Sequence, residues 1–163
     1  MATTRFHIDH LAFPSFGAAE THRFYTEVLG LHLKFAASGT SREWGDRRYL
    51  MMAFGGRGLE IHFFELEGVK RPKSDGLPKD MRHVALSIRS HEKVAAWQRR
   101  LESHGVDYWT EDHGGEPSVY FSDPNGHILE INGHVTELEA GDAEGALAVV
   151  RRWDTRSRRA RAK

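Results

Sequence analysis

Between residues 6 and 133 the spacing of apolar side chains changes period several times, and the changes come twice in the same order. Alternation over Phe6–Phe13 predicts a strand. Apolar positions three and four apart over Ala18–Leu29 predict a helix with Phe24, Val28 and Leu29 on one side. Gly30 stands where a helix C-cap belongs. Leu31–Ala36, Arg48–Phe54 and Leu59–Leu66 then read as three strands. The series restarts with a strand over Arg82–Ile88 and a helix over Glu92–Ser103 that carries Val94, Trp97 and Leu101, closed by Gly105. Val106–Thr110, Pro117–Phe121 and His127–Asn132 supply three further strands. The pattern predicts an α+β domain over residues 5–134, made of two β-α-β-β-β modules, 5–68 and 80–134. Residues 135–163 read as a linker, a short helix around Glu144–Trp153 and a basic tail.

Residues able to carry chemistry repeat with the modules. His10 matches His83 at an offset of 73, Gly30 matches Gly105 at 75, and Glu60 matches Glu130 at 70. Both glutamates sit in the same phrase, Leu59-Glu60-Ile61 and Leu129-Glu130-Ile131. Because side chains alternate across a strand, each strand divides into two faces. Val84, Leu86 and Ile88 make one apolar face; Leu11 with Phe13, Leu59 with Ile61 and Phe63, and Leu129 with Ile131 do the same on their strands. His10, His83, Glu60 and Glu130 all fall on the opposite face. A lone strand histidine is more often a surface or core residue, and those without a repeat partner (His7, His22, His32, His91, His104, His127 and His134) are read so. Four matched positions point elsewhere. If the second faces of the two modules meet, two carboxylates share a cavity and raise each other's pKa. A divalent cation removes that repulsion and uses two neutral imidazoles. The expectation is one ion held by His10, His83, Glu130 and Glu60, with Zn, Ni, Co, Mn and Fe(II) all compatible.

Composition narrows the setting. At 163 residues, 39% hydrophobic and 28% charged, the chain suits one soluble domain. The absence of cysteine excludes disulfides, iron–sulfur clusters and thiol nucleophiles. No apolar run approaches a membrane span and Met1–Phe6 lack a signal-peptide core, so a cytoplasmic protein without membrane partners is expected. A formal net charge of zero conceals +6 over residues 151–163 and −6 over the rest. With Trp153 the tail's single aromatic, nucleic acid is not an expected partner.

Longer phrases carry a resemblance. Ile8-Asp9-His10-Leu11-Ala12-Phe13, Phe24-Tyr25-Thr26-Glu27-Val28-Leu29-Gly30-Leu31, His83-Val84-Ala85-Leu86 and Tyr120-Phe121-Ser122-Asp123-Pro124-Asn125-Gly126-His127-Ile128-Leu129-Glu130 resemble the vicinal-oxygen-chelate superfamily. It includes glyoxalase I, extradiol dioxygenases, fosfomycin-resistance enzymes and bleomycin-binding proteins. The resemblance implies a cupped, eight-stranded mixed sheet around a metal, often completed across a homodimer. It places the three commonest ligands on His10, His83 and Glu130 and the fourth on Glu60. It also implies a small-molecule substrate that chelates the ion through two oxygens, with the developing enediolate stabilised there.

Within that family the His-Glu-His-Glu set is similar to glyoxalase I, an isomerase or lyase in which a ligand glutamate, here Glu130 or Glu60, moves a carbon-bound proton. Pro14 and Phe64 replace the Arg and Asn of glutathione users, which favours another thiol adduct. The alternative is an Fe(II) extradiol ring-cleavage dioxygenase. That reading uses the signature running from His113 through Tyr120 to Glu130, with His62 as acid–base residue. Against it, Glu111 departs from the signature and Glu60 would fill a position that dioxygen needs. Fosfomycin enzymes share Ser118 and Tyr120 but carry lysine where Thr110 stands. A non-catalytic, bleomycin-type binding protein is the third reading; whether enzyme or binding protein, Trp44, Phe64, Trp109 and Tyr120 are candidates to line a pocket for an aromatic ligand.

Overall fold

The computed structural model describes residues 7–56, 58–74, 76–113, 115, 117–133 and 143–161. Its strands are β1 (Leu11–Ser15), β2 (His32–Ser41), β3 (Arg47–Gly56), β4 (Leu59–Leu66), β5 (His83–Ser87), β6 (Tyr108–Asp112), β7 (Pro117–Ser122) and β8 (Ile128–Asn132). Helices α1 (Ala18–Arg23), α2 (His91–Ser103) and α3 (Ala143–Arg161) complete it. The eight expected strands form two four-stranded sheets, not one continuous sheet, ordered β1-β4-β3-β2 and β5-β8-β7-β6. In each, the first strand lies parallel to the last and the other neighbours are antiparallel. The duplicated order read from the sequence is therefore a duplicated topology.

Local chemistry explains the boundaries. β1 starts at Leu11, not Phe6, so His10 stands just ahead of its strand. The first helix gives way to one π-helical turn, Phe24–Val28, in which the Leu29 amide donates to the Phe24 carbonyl at 3.1 Å. Gly30 and Gly105, with φ of +73° and +65°, let the chain reverse after each helix where a side chain would be strained. The following amides, Leu31 and Val106, close back onto Tyr25 and Leu101 at 2.9 Å each. The C-terminal helix runs to Arg161, well past the expected end at Trp153. The expected linker falls mostly on residues 134–142, outside the described residues, as do the tail's side chains beyond Trp153. Among the described residues no helix is long and apolar enough to cross a membrane.

One core serves both modules. Phe54, Ile61 and Phe63 from the first sheet and Val119, Phe121, Leu129 and Ile131 from the second belong to a single buried cluster with Tyr25, Val94 and Leu101. A polar clasp reinforces the junction. Asn125, in the turn before β8, accepts from the Phe16 amide at 2.8 Å and donates to Thr21 Oγ1 at 3.0 Å. Tyr25 donates its hydroxyl to Asp123 Oδ2 at 3.2 Å, and burial together with the Asp123 charge pushes that phenol well above its ordinary pKa. Arg100 of α2 donates to the Val28 and Glu27 carbonyls. Asn125→Ala should strand the Phe16 amide and lower stability by about 1–3 kcal/mol. Chemical denaturation measures this, and an unchanged midpoint would show that the clasp is energetically idle.

Candidate metal centre and its flanking groups

In the second module β8 lies between β5 and β7, which brings His83, Tyr120 and Ser118 around Glu130. Glu130 is buried, at 4% exposure. Its Oε1 accepts from Ser118 Oγ at 2.7 Å and from Asn132 Nδ2 at 3.3 Å. Its Oε2 lies 3.1 Å from His83 Nε2. The other ring nitrogen of His83 is 2.7 Å from the Asp80 carbonyl oxygen. A carbonyl only accepts, so Nδ1 carries a hydrogen, which leaves Nε2 as the ring atom that faces the carboxylate. A proton on Nε2 makes that contact an ion pair, and a divalent ion can take the same place between nitrogen and oxygen. Burial pushes the Glu130 carboxyl up, but donors on Ser118, Asn132 and Tyr120 and the His83 charge outweigh it, leaving the pKa below the usual value.

Tyr120 continues the site. Burial first, then the Glu130 charge, pushes its phenol up to about 12, so it stays protonated and donates to Glu130. Its oxygen is then the acceptor for His113 Nε2 at 3.1 Å. Trp109 stacks on the Tyr120 ring with centroids 5.3 Å apart, and Lys79 Nζ sits 3.8 Å over the Trp109 ring.

The first module gathers a different cluster. His10 Nδ1 is held 2.7 Å from Asp9 Oδ2, which leaves Nε2 as the presented donor. The His10 ring stacks on His62 at 4.1 Å. His62 Nε2 is 2.8 Å from Glu60 Oε1, and Lys34, at a bulge in β2, donates to Glu60 Oε2 at 3.3 Å. Hydrogen bonds from His62 and then Lys34 hold the Glu60 carboxyl below its usual pKa. Beside them Trp44 meets Tyr49 and Phe64 edge-on at 5.5 and 5.8 Å.

The expected convergence of His10, His83, Glu130 and Glu60 on one point does not occur within a single chain. His83 and Glu130 pair, with Tyr120 and His113 joined to them; His10, Glu60 and His62 form the second group. Among the described residues no three His, Asp or Glu side chains are grouped so as to hold an ion. The reason is architectural. The two sheets share no hydrogen-bonded edge, and the modules are joined through the buried cluster and the Asn125 clasp. Sequence reading passed over Asp9, the Asp80 carbonyl, Lys34 and Asn132. An acidic neighbour beside each candidate histidine would have signalled the first; a backbone carbonyl leaves no trace in sequence. The donors still fit a borderline divalent ion, because both histidines have Nδ1 committed and Nε2 available.

The profile described as the Glyoxalase/Bleomycin resistance protein/Dioxygenase superfamily matches residues 7–131, and the chain belongs to that family. The metallothiol transferase FosB of Bacillus licheniformis is 29% identical over 120 residues, covering 64% of this chain and 75% of the relative. A lactoylglutathione lyase from Agrobacterium tumefaciens shares the fold at a TM-score of 0.60 and 17% identity, over 80% of this chain and 95% of its own. So does a mutant of the fosfomycin resistance protein FosX from Listeria monocytogenes, complexed with Mn(II) and 1S,2S-dihydroxypropylphosphonic acid. Its TM-score is 0.57 and its identity 19%, over 88% and 99% of the two chains.

Ser118→Ala removes the first-named donor to Glu130, so the carboxyl pKa should move upward from its depressed value. Carbon-detected NMR titration of the Glu130 carboxyl reads this directly; a pKa that stays put would assign the depression to the other partners.

Proposed function

We propose that the chain is a divalent-metal-dependent enzyme acting on a small substrate that offers two neighbouring oxygens. Its ion would be held by His83 and Glu130 of one copy and His10 of a second copy. The observation that carries this reading is His83, oriented by the Asp80 carbonyl so that its Nε2 faces the buried Glu130 Oε2 across 3.1 Å. His10 supports the second half: Asp9 orients it as a ligand is oriented, yet among the described residues no donors of the second module group with it. A homodimer that lays one copy's first module over the other's second module would supply them.

A bound divalent ion would supply electrophilic polarisation of the substrate oxygens. The rest falls to the chain's own groups. Glu60, kept ionised by His62 and Lys34, accepts a proton from the carbon beside the chelating oxygens, and His62 shares it through their 2.8 Å contact. Returning that proton to the neighbouring carbon completes a glyoxalase-type isomerisation. Tyr120 fixes the Glu130 carboxylate, and His113 fixes Tyr120. Trp109 and Trp44 provide flat apolar walls on the two faces. Likeness to a metallothiol transferase favours a second reading, in which the same Glu60–His62 pair takes its proton from a thiol that then adds to the substrate.

Subunit complementation tests the shared site. Separately, His10→Ala and Glu130→Ala proteins should each lose tight Zn(II) or Mn(II) binding in calorimetry. Unfolded, mixed and refolded together, they should regain about a quarter of the wild-type sites, because only mixed dimers hold one intact set. Recovery of none would place the ligands in one chain or dismiss the site. With metal loaded, Glu60→Gln should cost about 100-fold or more in kcat, as expected for loss of a general base. Turnover of hemithioacetals of α-oxoaldehydes, against thiol consumption with an epoxide, separates the two readings.

A further inference from the structure

Both modules cover a sheet with a helix, but the coverage is unequal. In the second sheet the outer strands β6 and β7 have 5 and 6 residues, and α2 has 13. In the first sheet β2 and β3 have 10 each, while α1 and its π-helical turn together span only Ala18–Val28. The hairpin therefore outruns its helix. What remains is a groove of about 600 Å³ beside α1, lined by Leu33, Ala36, Leu50, Met52 and the two alanines that open α1, and also by Glu20, His22 and Arg23. Leu33 in it is 40% exposed.

A second apolar face lies at the other end of the chain. Ala146, Val149, Val150 and Trp153 follow the i, i+3, i+4, i+7 spacing and so share one side of α3. Val149, Val150 and Trp153 are 55%, 63% and 73% exposed. No described element packs on α3 with more than marginal contact. Among the described residues, an apolar stripe and a largely apolar groove are thus presented without being packed on each other.

We propose that α3 of one copy docks its Ala146–Trp153 stripe into the α1–β2–β3 groove of a second copy. Charge argues for another copy of this chain as the occupant. Residues 151–163 carry +6 and the remaining residues −6, so the helix of one copy is attracted to the body of the next. The exchange is reciprocal, and a two-fold axis closes it with both grooves filled and both stripes covered. Lipid is a poorer match, because the described apolar stripe spans only two turns of a 19-residue helix. The contact requires no metal and stands or falls separately from the catalytic reading.

The absence of cysteine makes the test clean. Metal-free full-length A36C, labelled with nitrogen-15, is mixed with unlabelled V150C and treated with a short bis-maleimide. Mass spectrometry should find residue 36 of the heavy chain linked to residue 150 of the light chain, and adding Leu33→Asp to the A36C chain should abolish that link. Trp153 emission should also move to shorter wavelength as protein concentration rises. Links confined to a double A36C/V150C chain, or none despite full thiol reactivity, would overturn the proposal. So would α3-dependent sedimentation with vesicles containing phosphatidylglycerol but not with pure phosphatidylcholine, accompanied by no 36–150 link.

Discussion

The arrangement of the second module turns on one electrostatic constraint: a buried carboxylate faces an imidazole nitrogen held in place by a hydrogen bond on the far side of its ring. With the Asp80 carbonyl holding Nδ1–H, His83 Nε2 and Glu130 Oε2 stand 3.1 Å apart, close enough for a proton or a cation to join them. Three donors nonetheless keep Glu130 ionised in a nearly solvent-free position. Such a carboxylate is costly to bury unless a cation completes its surroundings. Tyr120, with Trp109 stacked on it, meets the His83 ring edge-on at 5.5 Å beside this pair.

The first module uses the same template differently. Glu60 is more than a third exposed, ion-paired with Lys34 and in contact with His62. One copy of the repeated unit thus presents a carboxylate prepared to hold charge. The other presents a carboxylate and imidazole in contact, an arrangement suited to moving a proton.

Much of this was legible in the chain. The phrases around Glu60 and Glu130 and the two glycines at +73° and +65° carried the duplication, because strand alternation and helix capping are local and repeat with the sequence. Burial of Ile61, Phe63, Leu129 and Ile131 follows from the same alternation. The face of His83 was legible for that reason, whereas His10 stands one residue ahead of β1. Their meeting was not legible, because it depends on how two rigid modules are joined, and the joint lies in Asn125, Asp123 and Arg100, whose partners are about a hundred or seventy residues away. The length of α3 was missed because Thr155, Arg156 and Ser157 interrupt the apolar pattern without breaking the helix.

The two candidate ligand histidines are oriented by different kinds of acceptor, and evolution should treat them unequally. His83 leans on a backbone carbonyl, which every amino acid provides, so position 80 can drift freely while the ring keeps its tautomer. His10 leans on the carboxylate of Asp9, which one nucleotide change can delete. Across related chains, variation should therefore be tolerated before His83 and purged before His10.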